Sequence, residues 1–183
     1  DNVLSYEMKV QFIQTYMERE LPILGLSASP VVLKNLLRMV AHTQGQIVNY
    51  SEIAGSLGVE VNTVKRYLDY FENAFLIRRL QPYFTNSKKR IVKSPKIFIR
   101  DTGILHTLFN IDNSWESFVI QQIIPLLKPG ISWFFYRTQD GTELDLVLER
   151  GGEPVLGFEI KYSNSPKITK GTTLASQDLN NIP

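Results

Sequence analysis

Apolar residues recur at three-to-four-residue spacing through the first 75 positions of the chain and then give way to short apolar runs bounded by Gly and Pro. The first pattern predicts helices and the second predicts strands. Tyr6, Val10, Ile13, Met17 and Leu21 set one helix over residues 3–24, ended by Pro22 and Gly25. Ser29 suits the cap and Pro30 the first turn of a second helix over 31–42. Its inward positions are Val32, Leu33, Leu36, Leu37 and Val40, and Gly45 stops it. YSEIAGSLGVEVNTVKRYLDYFENA then reads as helix–turn–helix, with Ser51 as a cap, Ala54 small at the crossing, Gly58 in a turn that needs a positive φ, and Val64 packing back. An ordinary helical hairpin is the alternative.

The later runs are extended. FLIRRLQPY (75–83) predicts a strand, TNSKKR a turn, and IVKSPKIFIRD the return strand, broken by Pro95. A basic hairpin directly after a helix–turn–helix predicts a winged helix, with Lys88, Lys89 and Arg90 near the wing tip. A hairpin docked on the acidic second half is the alternative. Asn62, Thr63, Lys65 and Arg66 fall on the exposed side of the second helix of the pair, where such residue types contact phosphates or base edges. Asp101 suits the cap of a helix TGILHTLFNI, and SWESFVIQQIIPLL (114–127) predicts another, with Glu116 in its first turn. Three strands follow: FFYR, ELDLVLE and VLGFEIKY. A short helix over 173–179 closes the chain, with Gln177 expected at the surface and an extra polar group of the active site as the alternative.

Strand alternation carries the chemistry. Glu159 and Lys161 share a face while Ile160 points the other way, and Asp145 stands between Leu144 and Leu146 on the preceding strand. Aligned faces bring two carboxylates and an ammonium together, an oxygen-rich set that suits Mg²⁺. Solvated strand faces with ordinary salt bridges are the alternative. A helix carboxylate, a strand Asp and a strand Glu-x-Lys follow one another in the order of the PD-(D/E)XK nucleases, and the chain resembles that superfamily at Glu116, Asp145, Glu159 and Lys161. The resemblance implies that Glu116, Asp145 and Glu159 hold Mg²⁺ or Mn²⁺ and that Lys161 positions or activates the attacking water at a phosphodiester.

The 183 residues allow one ordinary domain or two small ones, and 43% apolar content is enough for a core. The absence of cysteine excludes disulfides and Cys-based zinc sites and suits a cytoplasmic protein. The two histidines, His42 and His106, are far apart and form no ligand spacing. No apolar run reaches membrane-spanning length. The net charge of +2 is unevenly distributed. Residues 61–100 carry ten Lys and Arg against two acids, a net of +8, and residues 111–183 carry six against nine, a net of −3. A basic segment beside an acidic one suits a nucleic-acid partner.

The chain as a whole resembles the C-terminal half of a family of prokaryotic AAA+ ATPases whose C-terminal module carries the label of a domain of unknown function. The stretches that carry the resemblance are QTYMERELPILG, GQIVNYSEIAGSLGVEVNTVKRYLD, FLIRRLQPYFTNSKKRIVKSPKIFIRDTGILH, SWESFVIQQII, FYRTQDGTELDLVL and FEIKYS, in family order over nearly the full length. It implies an α+β or α/β chain in three parts: a helical connector (1–30) from an upstream ATPase domain, a winged-helix DNA-binding domain (31–110) and a restriction-endonuclease-like mixed sheet with flanking helices (111–183). The implied partners are DNA, the upstream ATPase domain and further copies of the chain, with no membrane. The start at Asp1 points to a fragment. No GxxxxGK[ST] occurs, so ATP is expected only in the upstream domain. The connection of three residues, 112–114, is shorter than the family's, which implies a deletion or a missing stretch. Two functions remain open: a metal-dependent nuclease directed by a winged helix, and a non-catalytic binding or assembly module on a degenerate nuclease fold.

Overall fold

The computed structural model describes residues 2–85, 89–109 and 114–183. Two compact units interleave along the sequence. The first is Asp1–Arg79 with Ile97–Ser114, and the second is Leu80–Lys96 with Trp115–Pro183. Helices and two small antiparallel sheets make the class α+β.

The first unit is mainly helical. α1 (Asn2–Thr15) runs through a π-helical turn, Tyr16–Glu20, into α2 (Leu21–Ile23), so the helix expected over 3–24 is continuous but not uniformly α. Only the later half of its apolar stripe is buried: Ile13, Met17 and Leu21 are inside, whereas Tyr6 and Val10 are exposed. α3 (Pro30–His42) buries Leu33, Leu36, Leu37 and Val40. Ser29 occupies its N-cap without a side-chain capping hydrogen bond.

α4 (Tyr50–Leu57) is capped by Asn49, not by Ser51. The backbone of Asn49 is extended, so its Oδ1 reaches the Glu52 amide at 3.2 Å while its Nδ2 donates to Glu52 Oε2 at 3.2 Å. Ser51 already lies within the first turn and cannot serve. Gly58 ends α4 in the left-handed region at φ +64°, as expected, and Val59 N then bonds Ala54 O at 3.1 Å. α5 (Val61–Asn73) buries Val64, Tyr67, Leu68 and Phe71. β1 (Ile77–Leu80) pairs with β2 (Lys96–Ile99). α6 (Thr102–Phe109) is capped as expected, by Asp101 Oδ1 on the Ile104 amide at 3.0 Å.

The second unit contains α7 (Trp115–Ile123) and a 3₁₀ turn Ile124–Leu126 around Pro125. A sheet in the order β3 (Ile131–Arg137), β4 (Glu143–Arg150), β5 (Glu153–Phe158) follows, then α8 (Lys170–Asp178). β4 is central, and five successive residues, 144–148, are buried, because a central strand is covered on both faces. Tyr136, Leu144, Val147, Ala175, Leu179 and Ile182 form its core. α8 begins earlier than expected because the Thr169 hydroxyl caps Thr172 N at 3.2 Å. β5 stops at Phe158, so Glu159 and Lys161 lie beyond the strand, not in it.

The expected wing is only partly a hairpin. β1 and β2 pair, but the segments nearer the tip pair with the edge of β3. Tyr83 N bonds Phe135 O at 2.7 Å and Phe135 N bonds Gln81 O at 3.0 Å, around a parallel bridge between Pro82 and Phe135. Val92 N bonds Arg137 O at 3.0 Å and Gln139 N bonds Arg90 O at 2.9 Å, around an antiparallel bridge between Ile91 and Thr138. Pro82 and Pro95 lack the N–H that a continuous hairpin ladder requires, whereas the free edge of β3 needs partners. Lys88 lies outside the described residues, as do Asp112 and Asn113 of the short connection.

Gly58 and Gly55 separate backbone strain from packing, since an added Cβ meets nothing within 4 Å at either position. Gly58→Ala is expected to lower the unfolding free energy by about 1 kcal/mol through its positive φ. Gly55→Ala, inside α4, is expected to raise it by roughly 0.5–1 kcal/mol. Urea denaturation of the two variants measures both signs.

Candidate functional site

The second unit gathers three acidic residues around one lysine. Lys96 follows Pro95 and heads β2, and its side chain is 3% exposed. Its Nζ lies 2.9 Å from Glu116 Oε1, 2.7 Å from Glu143 Oε1 and 3.1 Å from Asp145 Oδ1. An ammonium has three N–H donors, so three carboxylates satisfy it fully. Glu116 is supplied by the first turn of α7, where a carboxylate also favours the helix N-terminus. Glu143 and Asp145 are two apart on β4 and therefore share a face. The ring of Phe135 closes the site from another side, 5.7 Å from Nζ.

The antiparallel register Leu146↔Phe158 places Glu159 opposite Asp145 one step beyond the strand end. The second carboxylate oxygen of Asp145 accepts the Ile160 amide at 2.8 Å, holding that segment to β4. Glu159 pairs with Lys161 at 3.2 Å, so these two share a side although they lie beyond the strand. Arg137 Nη1 pairs with Glu143 Oε2 at 3.0 Å. The cluster thus holds four carboxylates (Glu116, Glu143, Asp145, Glu159) against three basic groups (Lys96, Lys161, Arg137), an excess of one negative charge.

The pKa shifts follow from burial first and from the neighbouring charges second. Burial opposes the charge on Lys96, but Glu116, Asp145 and Glu143 outweigh it and hold the ammonium protonated. Burial pushes Glu116 up to about 7; Lys96 counteracts this and Asp145 adds to the rise. Burial also raises Glu159, opposed by its hydrogen bond to Lys161 and reinforced by Asp145.

The donor set consists of carboxylate oxygens, the chemistry that Mg²⁺ or Mn²⁺ takes. Among the described residues no group of three or more acidic or histidine side chains forms a ready metal site. Glu116 and Asp145 do meet at one point, but Lys96 Nζ fills it, and Glu159 stands apart on Lys161. By donor chemistry these oxygens are of the kind a divalent cation takes, and Lys96 Nζ occupies the point at which those of Glu116, Glu143 and Asp145 meet.

Lys96 and Glu143 escaped the sequence reading. Lys96 counted only as one charge of a basic segment. The signal for it was a lysine opening the apolar run KIFI, and for Glu143 it was the i, i+2 spacing to Asp145.

The expected nucleic-acid contacts separate into two sets. On α5, Asn62, Lys65 and Arg66 are exposed and Thr63 is half-buried. Lys65 lies over the Tyr50 ring at 5.5 Å and Arg66 over Tyr67 at 5.6 Å. Lys89 and Arg90 are exposed and belong to the second unit. Lys89 pairs with Asp178 at 2.7 Å, and Tyr136 donates to the same carboxylate at 2.9 Å. Gln177 is at the surface, as expected.

Asp145 is buried and bonded through both oxygens, whereas Lys161 keeps 32% of its side chain exposed. Asp145→Ala is expected to cost roughly 3 kcal/mol of stability. Lys161→Ala is expected to cost less than about 1 kcal/mol. Equal losses in chemical denaturation would contradict this division of the cluster.

A family model described as domain of unknown function (DUF8612) matches residues 4–114, and one described as domain of unknown function (DUF4143) matches residues 112–182. An uncharacterized protein of Mycobacterium tuberculosis and one of Mycobacterium bovis are each 41% identical over 180 residues, covering 92% of this chain and 40% of the relative. An uncharacterized protein of Haemophilus influenzae is 30% identical over 142 residues, covering 70% of this chain and 34% of the relative. The chain therefore spans about two fifths of the length of the mycobacterial relatives it matches. No solved structure matches it, and no helix among the described residues is long and apolar enough to cross a membrane. With more than half of its length matched by a single model, the chain belongs to the family described as domain of unknown function DUF8612, and it continues into the DUF4143 match.

Proposed function

We propose that this chain is the nucleic-acid-directed part of a larger AAA+ ATPase. In this reading the helical unit acts as a winged-helix-type DNA-binding element, and the second unit is a PD-(D/E)XK-type site for divalent-metal-dependent phosphodiester hydrolysis. The observation that carries the proposal is the meeting of Glu116, from the first turn of α7, with Asp145 of β4, and the placement of the Glu159–Lys161 pair across the register from Asp145. Glu116, Asp145 and Glu159 would hold Mg²⁺ or Mn²⁺. When bound, such an ion lowers the pKa of water and offsets charge on the phosphoryl group. Lys161, hydrogen-bonded to Glu159 and partly open to solvent, orients the attacking water. Phe135, fully buried and with its ring 5.7 Å from Lys96 Nζ, keeps that side of the site dry.

Lys65 and Arg66 on the exposed side of α5 are the phosphate contacts of the first unit. On this basis Mn²⁺ titrated calorimetrically into the chain gives a saturable isotherm that Asp145→Asn abolishes. The same substitution removes Mn²⁺-dependent cleavage of DNA while changing DNA affinity less than about twofold. Charge reversal at Lys65 and Arg66 weakens DNA binding and reduces the slope of log affinity against log salt by about 2. A slope that does not change excludes α5 from the interface.

A second reading is favoured by one observation, the ammonium at the centre of the carboxylates. A non-catalytic binding or assembly module would use Lys96 as a permanent structural cation. Absence of Mn²⁺ binding in the chain is the outcome that selects it.

A further inference from the structure

Lys96 is the most buried charged side chain of the cluster, and it carries three acidic partners while lying outside the set that a nuclease-type site requires. We infer that Lys96, with Glu143 as its third partner, is a resident counter-cation that competes with a divalent metal ion for Glu116 and Asp145. The inference rests on the reading of this cluster as a divalent-cation site.

Two observations and one general property of lysine lead to it. The first is geometry. Three carboxylate oxygens from α7 and β4 lie 2.7–3.1 Å from one nitrogen. Mg²⁺–oxygen distances are about 2.0–2.1 Å, so the same oxygens need to close in by roughly 1 Å to ligate a metal at that point. An ammonium and a metal cannot share it.

The second is charge. With Lys96 in place, four carboxylates face three single positive charges. With all four carboxylates ionised, exchanging the ammonium for a divalent cation, with Lys161 and Arg137 retained, balances the cluster. Retaining all three basic groups beside a divalent ion leaves it overcharged.

The third is mobility. Lysine carries its charge on a flexible four-carbon stem, so the head group can leave without moving the β2 backbone, whereas the planar fork of arginine is less free to do so. The metal-free state thereby avoids leaving buried carboxylates unpaired. It also acquires a selectivity threshold, because a cation enters only if it outcompetes a hydrogen-bonded ammonium.

The test compares Mn²⁺ affinity, by calorimetry, for the chain and for Lys96→Met and Lys96→Arg. Lys96→Met is expected to bind Mn²⁺ at least tenfold more tightly than the unaltered chain, and to gain more thermal stability from Mn²⁺. Lys96→Arg, which keeps the charge, is expected to bind no more tightly than the unaltered chain. Equal affinities in the chain and Lys96→Met overturn the inference and leave the metal reading standing. No binding by any of the three removes the metal reading, and the inference falls with it.

A measurement on the unaltered chain covers the case in which Lys96→Met does not fold. A buried, hydrogen-bonded ammonium gives a slowly exchanging lysine ¹⁵Nζ–H signal, and saturating Mg²⁺ is expected to abolish it as Nζ moves to solvent. A signal that persists at saturation overturns the inference.

Discussion

The second unit is organised by one electrostatic constraint, the burial of the Lys96 ammonium among Glu116, Glu143 and Asp145. A lone buried charge is strongly disfavoured, and a buried group of like charges is disfavoured equally. Each side of this set makes the other tolerable. The start of β2, the first turn of α7 and the near end of β4 are therefore held at fixed separation, and Asp145 extends the hold to the chain beyond β5 through the Ile160 amide. Burial, opposed by Lys96 and reinforced by Asp145 and Glu143, raises the pKa of Glu116 to about 7.

A second constraint shapes the basic stretch between β1 and β2. A three-stranded sheet has two edges, and the β3 edge exposes backbone donors and acceptors. The segments around Pro82 and Ile91 satisfy them, one running parallel and the other antiparallel to β3. This diverts the expected wing from a free hairpin into the margin of a sheet, and one of its lysines, Lys89, is consumed in an ion pair with Asp178. The alternative that a basic hairpin docks on acidic residues of the second half thus describes Lys89 closely. On α5, by contrast, Lys65 and Arg66 engage only ring faces among the contacts described, and both remain at the surface.

The enzymatic and the purely structural readings of this chain differ over a single atom position, the one occupied by Lys96 Nζ. Carboxylates gathered around a point of high negative potential make either a cation site or an internal salt-bridge network, and the same side chains serve both. The contrast between Asp145 and Glu159 shows how much the surroundings matter. Asp145 is fixed by a backbone amide and a buried ammonium, whereas the partner of Glu159 among the described residues is a half-exposed lysine.

Local pattern alone determined much of the helical half. The periodicity of α3 and α5, the left-handed turn at Gly58 and the cap at Asp101 are set by contacts within a few residues, and they occur where the sequence places them. The order of Glu116, Asp145, Glu159 and Lys161 was also legible, because side-chain alternation and helix position depend only on the local backbone. Asn49 displaced Ser51 as a cap because backbone angles, which composition does not reveal, decide which side chain reaches the amide. Only the tertiary structure decided that β5 ends before Glu159, that the wing segments line β3, and that Lys96 and Glu143 belong with the acidic set. Lys96 lies 20 residues from Glu116 and 49 from Asp145 along the chain. Partners that distant are chosen by the packing of whole elements and by the demand that buried charge be neutralised; local pattern marks Lys96 and Glu143 as positions of interest but does not pair them.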